Sequence, residues 1–173
     1  MSRAAFLDRD GVIFQKAPED QYITRWEDVR FLPRVADGIV LLNRAGFRLI
    51  VVSNQRCVAK GLVSKVALDA MHWRMCKSLA RAGARIDAVY YCPHEKHPPC
   101  GCRKPQPGML LEAARIHGID LSQSWMVGDS DSDVEAGKSA GCKTVRLFRP
   151  GDPIHCSADL LASSLRDAAR FMF

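Results

Sequence analysis

Short apolar runs and helical repeats take turns along this chain, and that alternation limits the fold more than any other feature. Residues 4–7, 47–52, 86–91, 125–127 and 142–147 are largely apolar over lengths that suit buried strands. Helical patterns separate them. Val35, Ile39 and Leu42 recur at helical spacing with Gly46 just past the end, and Leu68, Met71, Met75, Leu79 and Ala82 do the same between a capping Ser64 and Gly83, so the methionines read as core. Residues 108–117 form a helix closed by Gly118, and another helix runs to Ala140 before Gly141. The tail, 158–173, reads as a short strand and a closing helix, whereas 14–33 is an irregular excursion packed over the first turn. Strands separated by helices predict an α/β fold, a parallel sheet with helices on both faces.

In such sheets, ligands bind beyond the carboxyl ends of the strands. Asp8, Ser53 and Asp129 each stand immediately after a predicted strand, so they converge on one edge. Asp8 and Asp10 are two positions apart on extended backbone and face one site, while Arg9 points elsewhere and Gly11 lets the chain turn. Neighbouring carboxylates repel unless a cation sits between them, and Mg²⁺ is the hard ion that suits them. Charge then argues for phosphoryl transfer. Asp8 is the candidate nucleophile and Asp10 the general acid and base; Mg²⁺ bridges Asp8, Asp129 and a phosphate oxygen, and Ser53 and Lys104 meet the other oxygens.

Cys92, His94, Cys100 and Cys102 bring four soft ligands into one short stretch, the set that tetrahedral Zn²⁺ requires. Pro93, Glu95, Lys96, Pro98, Pro99 and Gly101 make residues 92–102 a loop with no core for thiols to fill. A closed four-ligand site is structural, and it fixes Arg103 and Lys104 beside it. His97 is a rival ligand. Cys57, Cys76, Cys142 and Cys156 read as ordinary buried or partly buried thiols.

At 173 residues the chain suits one domain, 1–173. It has no apolar run of membrane-spanning length and no charged-then-apolar leader, and its cysteine pattern suits a reducing compartment, so the expected location is the cytoplasm. A formal charge of +6 favours anionic partners, but Lys and Arg are scattered without a basic tail. The expected partner is therefore a small phosphorylated metabolite rather than nucleic acid or membrane, bound by a monomer.

The segments Asp8-Arg9-Asp10-Gly11, Ser53-Asn54, Lys104 and Gly128-Asp129 to Asp133 resemble, in order and placement, the four motifs of the haloacid dehalogenase (HAD) superfamily of phosphotransferases. The resemblance implies a three-layer, Rossmann-like sheet. It also implies the backbone carbonyl of Asp10 as a further Mg²⁺ ligand, Asn54 as a substrate-binding residue, and Asp133 as support of the metal site. The zinc loop followed by Cys102-Arg103-Lys104-Pro105 is similar to one branch, the heptose 1,7-bisphosphate 7-phosphatases together with the histidinol-phosphate phosphatases, bacterial biosynthetic enzymes without a large cap domain. Pro105-x-Pro107-Gly108-Met109 resembles the heptose enzymes in particular. By this resemblance Arg103 recognises substrate through a second phosphate, and a sugar bisphosphate is the expected substrate, with histidinol phosphate as the alternative. Outside enzymes, the alternative is a zinc-stapled binding module. Val12 stands where the family usually has threonine, Arg56-Cys57 replaces a small pair after Gln55, and the zinc loop is shorter than most. The last two border the entrance where a leaving group sits.

Overall fold

Strand β1 (Ala4–Leu7) has no polar side chain and is buried along its whole length, as a strand covered on both faces must be. The computed structural model of the protein describes residues 2–18, 20–149 and 157–173. After β1 the elements in chain order are α1 (Val35–Arg44), β2 (Arg48–Asn54), α2 (Lys65–Arg81), β3 (Ala88–Cys92), α3 (Gly108–His117), β4 (Trp125–Gly128), α4 (Asp131–Ala140), β5 (Lys143–Leu147), β6 (Leu160–Ala162) and α5 (Leu165–Ala168). All strand pairs are parallel, in the order β3-β2-β1-β4-β5-β6. Strand order therefore reverses between β1 and β4, whose register pairs Leu7 with Val127. That is the point where open parallel sheets bind ligands.

Strand alternation sorts the core into two layers. Ala5, Leu7, Leu49, Val51, Val127 and Val145 cluster with Ile39 and Leu42 of α1, Met71 and Met75 of α2, and Leu165 of α5. Ala4, Phe6, Ile50, Val52 and Met126 cluster with Met109, Leu110 and Ala113 of α3 and Ala136 and Ala140 of α4. The three-layer α/β expectation is met. Among the described residues, no helix is long and apolar enough to cross a membrane.

The element boundaries differ in places for local reasons. β2 continues through Ser53 and Asn54 because β3 pairs with both. β3 begins at Ala88 rather than at Ile86, because Asp87 spends both its backbone and its side chain on Leu49, donating to Leu49 O at 2.8 Å and accepting from Leu49 N at 2.8 Å. α2 starts where expected, with Ser64 Oγ accepting from Ala67 N at 3.1 Å, but it ends at Arg81 and leaves Ala82 exposed. The 14–33 excursion holds one short 3₁₀ turn, Trp26–Asp28, and packs Phe31 edge-on to Phe14 and Trp26. Cys57 and Cys142 are buried and Cys76 is partly buried; Cys156 lies outside the described residues.

α4, which begins just after Asp129, lies close on the sheet because Gly137 has no side chain. A Cβ there would come within 2.6 Å of Met126 Cβ and 2.7 Å of Thr144 Cγ2. Gly137→Val should push α4 off β4 and β5 and destabilise the protein by about 2 kcal/mol or more, read as a lower urea midpoint at unchanged slope.

Candidate active site

The first turn after β1 delivers its carboxylate in a fixed direction. Asp8 N donates to Val127 O at 2.9 Å, which ties the residue to β4, and Asp8 Oδ1 accepts from Arg9 N at 2.8 Å. Gly11 then turns at a φ of +99°, and a Cβ there would stand 2.2 Å from Asp129 Oδ2. The bare glycine lets the β1 turn and the β4 turn touch.

Lys104 is the centre of charge. Its ammonium is buried, donates to Val52 O at 2.8 Å, and lies 2.9 Å from Asp8 Oδ1 and 2.6 Å from Asp133 Oδ1. Burial alone would lower the lysine's pKa; Asp133 and then Asp8 reverse this and push it up, so the ammonium stays charged. Burial pushes Asp8 up to about 7, with Asp133, Asp10 and Asp129 adding to the rise and Lys104 opposing it. Asp129 is also raised by burial, against the pull of Lys16. Asp133 is 1% exposed rather than solvated; its Oδ2 accepts from Ser130 N at 3.1 Å and Ser130 Oγ at 2.6 Å, which closes the first turn of α4.

Oxygens of Asp8, Asp129 and Asp133 lie within 4.8 Å of one another. Asp129 Oδ2 meets Lys16 Nζ at 3.1 Å, but Asp129 Oδ1 is buried with no hydrogen-bond partner among the described residues. An orphaned carboxylate oxygen beside two more buried acids is a site that a hard divalent cation fits.

Asp10 lines the same cavity as Asp8, as their spacing requires. Its carboxylate is gripped by a residue the sequence reading set aside. The Arg9 guanidinium, 1% exposed, donates from Nε to Asp10 Oδ1 at 3.1 Å and from Nη2 to Oδ2 at 2.9 Å. Phe14 and Met71 flank the guanidinium, and Nη1 lies 3.2 Å from His72 Nε2. His72 is lowered to about 4 by burial and then by Arg9, so it is the neutral acceptor of that bond. Gln55 was also missed: its Nε2 donates to Asp10 Oδ2 at 2.9 Å and to Ser53 Oγ at 2.7 Å, joining two site residues.

Ser53, 1% exposed, lines the cavity. Asn54 lines it as well, but its amide is committed to the Lys104 backbone: Nδ2 donates to Lys104 O and Oδ1 accepts from Lys104 N, both at 3.0 Å. Arg103 reaches the cavity and donates from Nη1 to His94 O at 3.3 Å. The cavity is about 670 Å³, and Tyr22 from the 14–33 excursion and Lys96 from the 92–102 loop also line it.

The four soft ligands converge beside it. Cys92 Sγ lies 3.6 Å from Cys100 Sγ and 3.5 Å from His94 Nδ1, and Cys102 Sγ lies 3.5 Å from Cys100 Sγ and 3.3 Å from His94 Nδ1. A zinc tetrahedron with Zn–S bonds near 2.3 Å has S···S edges of about 3.8 Å, so the four atoms stand close to the corners that the ion requires. His97 is not part of this cluster.

Comparison with known proteins follows the same line. Residues 101–168 match the HAD-hydrolase-like family model. The chain is 43% identical over 151 residues to the D-glycero-beta-D-manno-heptose-1,7-bisphosphate 7-phosphatase of Rhodopseudomonas palustris, covering 83% of this chain and 82% of that protein. It is 37% identical to the protein of the same name from Escherichia coli K12, covering 95% and 90%. Among solved structures, the D,D-heptose 1,7-bisphosphate phosphatase from B. bronchiseptica complexed with magnesium and phosphate superposes with a TM-score of 0.87 at 31% identity, over 98% of this chain and 97% of that one.

The buried fork between Arg9 and Asp10 yields a stability prediction. Arg9→Met keeps much of the buried volume but removes the partner of Asp10. It should destabilise the protein by about 3 kcal/mol, measured by urea denaturation; a loss below about 0.5 kcal/mol would mean that the pair contributes nothing.

Proposed function

The chain belongs to the D-glycero-beta-D-manno-heptose-1,7-bisphosphate 7-phosphatase family of HAD-like hydrolases, and from that membership we propose that it removes the 7-phosphate of D-glycero-D-manno-heptose 1,7-bisphosphate. The observation that carries this reading is the buried Asp8 carboxylate, 2.9 Å from the Lys104 ammonium and grouped with an oxygen of Asp129 that has no hydrogen-bond partner among the described residues.

Asp8 is the nucleophile. One of its oxygens bonds to phosphorus as the sugar oxygen leaves, giving a phosphoaspartate. Lys104 offsets the repulsion between carboxylate and phosphate, and the Ser53 hydroxyl donates to a phosphoryl oxygen. Asp10 protonates the departing sugar oxygen, then takes a proton from the water that hydrolyses the phosphoaspartate, which restores both residues. Arg9 and Gln55 hold Asp10 for both steps, and Asn54 serves the substrate by fixing Lys104. Arg103 at the mouth suits the second phosphate, for which a planar fork of donors is well shaped.

Asp8, Asp129 and the Asp10 backbone carbonyl are the residues to hold Mg²⁺, with Asp133 supporting them through Lys104 and Ser130. When bound, the ion supplies Lewis-acid stabilisation of the phosphoryl oxygens. Cys92, His94, Cys100 and Cys102 hold structural Zn²⁺, and a reducing cytoplasm keeps those thiols available.

Phosphate release from heptose 1,7-bisphosphate tests the reading. Wild type should turn the sugar over with Mg²⁺ and lose activity when the ion is chelated, and Asp8→Asn should fall by about a thousandfold or more with its circular dichroism unchanged. Full activity in that variant removes Asp8 as nucleophile, and a preference for histidinol phosphate replaces the substrate. Cys100→Ser should lose zinc, measured by atomic emission, and lower Tm by at least about 5 °C. Loss of activity at full zinc content contradicts the structural assignment.

A further inference from the structure

The catalytic carboxylates sit on strand ends, but loops form the outer wall of the cavity, and three of those loops meet at Arg56. This arginine lies two residues past the end of β2. Its Nε and Nη2 both donate to the Tyr22 hydroxyl, at 2.9 and 2.7 Å, and Nε lies 3.7 Å from Glu95 Oε2. Tyr22 belongs to the 14–33 excursion and Glu95 to the 92–102 loop, so a single guanidinium joins the two segments that flank the mouth. The Tyr22 ring is further fixed from beneath and beside. It packs on the small cluster of Cys57, Val63 and Leu68, and the Lys60 ammonium stands 5.8 Å from its centroid.

Tyr22 lines the cavity that contains Asp8, whereas Arg56 is not among the residues that line it. The guanidinium therefore acts through the tyrosine. Lys96 and Arg103 also line this cavity, so a leaving group entering it meets an aromatic ring held in place and two cations. With Nε and Nη2 of Arg56 both donating to one hydroxyl, the ring is not free to swing away and admit a bulkier or differently shaped group. We infer that Arg56 is a specificity-determining positioning residue, which fixes Tyr22 as a rigid post at the mouth and so selects a phosphorylated, sugar-sized leaving group. This inference rests on the phosphatase reading of the site and deepens it.

The test compares wild type, R56S, Y22F and the double variant on heptose 1,7-bisphosphate, and wild type with R56S on p-nitrophenyl phosphate, whose flat leaving group carries no second phosphate. For R56S the expected result is a KM for the bisphosphate raised about tenfold at a kcat within twofold, with kcat/KM on p-nitrophenyl phosphate within about twofold of wild type. Y22F should reproduce the bisphosphate defect, and the double variant should be no worse than either single one, because both remove the same contact. Equal loss on both substrates, no loss on either, or a defect in R56S that Y22F does not share would each overturn the inference.

Hydrogen exchange supplies a readout that needs no substrate. The Gln21 amide, which donates to Pro18 O at 3.0 Å beside Tyr22, should exchange at least about fivefold faster in R56S than in wild type, while those of β1 stay unchanged. Unchanged exchange at Gln21 overturns the latch even if the protein hydrolyses neither ester. Wild-type inactivity on both esters, with the latch intact by exchange, falls on the phosphatase reading instead.

Discussion

The Lys104 ammonium is 4% exposed and meets Asp8, Asp133 and the Val52 carbonyl within 3 Å. An isolated buried cation and two isolated buried carboxylates are each prohibitive, and only their mutual contact makes the cluster tolerable. The chain has spent structure to hold this contact. Asn54 clasps the Lys104 backbone on both sides, Ser130 satisfies the far oxygen of Asp133, and Arg9 N satisfies Asp8. Two ammonium groups, Lys104 and the half-exposed Lys16, face the three acids Asp8, Asp129 and Asp133. Burial and then the neighbouring acids raise Asp8, and Asp129 Oδ1 has no hydrogen-bond partner among the described residues. The remaining excess of acid oxygens is an arrangement that a hard divalent cation fits.

Topology explains why these residues can meet at all. Lys104 is 96 positions from Asp8 and Asp129 is 121 positions from it. The reversal of strand order between β1 and β4 puts the two turns side by side, and the absence of a side chain at Gly11 lets them close on each other. Of the two core layers, the one under α3 and α4 fixes Asp129 and Asp133, and the one under α2 supplies the Phe14, Met71 and His72 environment of Arg9. The two layers thus position different parts of the site: Asp129 and Asp133 on one side, Arg9 and the Asp10 carboxylate it grips on the other.

Much of this was legible in the sequence because apolar periodicity marks both kinds of element, and a residue just past a buried strand has one place to go. The placement of Asp8, Ser53 and Asp129 was readable on that ground, and the clustering of Cys92, His94, Cys100 and Cys102 on ligand type, spacing and the proline-rich loop between them. The surroundings of Arg9 were not. Alternation says that it leaves the Asp8 and Asp10 side, but whether it then meets solvent or a helix depends on how α2 crosses the sheet. The tasks of Gln55 and Asn54 were hidden for a related reason, since the partners of their amides lie 45 and 50 positions away. Arg56 read as a departure from a pattern, and only the position of Tyr22 gives it a role. Local patterns carry element identity; side-chain partnerships across the fold are carried by packing.

The 92–102 loop sits where a core cannot help. Residues 93–101 are too polar and too rich in proline to bury themselves, yet Arg103 and Lys104 emerge directly from them. On one side the loop is anchored by β3, where Cys92 is the last residue of the strand and pairs with Asn54. On the other it is anchored by α3, whose first residue, Gly108, donates from its backbone to Gly101 O at 3.0 Å, and a Cβ there would approach that oxygen to 2.2 Å. Ordering the backbone between these anchors costs about 1–2 kcal/mol per residue. An ion bound by the clustered Cys92, His94, Cys100 and Cys102 would offset that cost where apolar burial does not. The cluster places Cys102 directly before Arg103 and Lys104, and Asn54 grips the Lys104 backbone from the neighbouring strand.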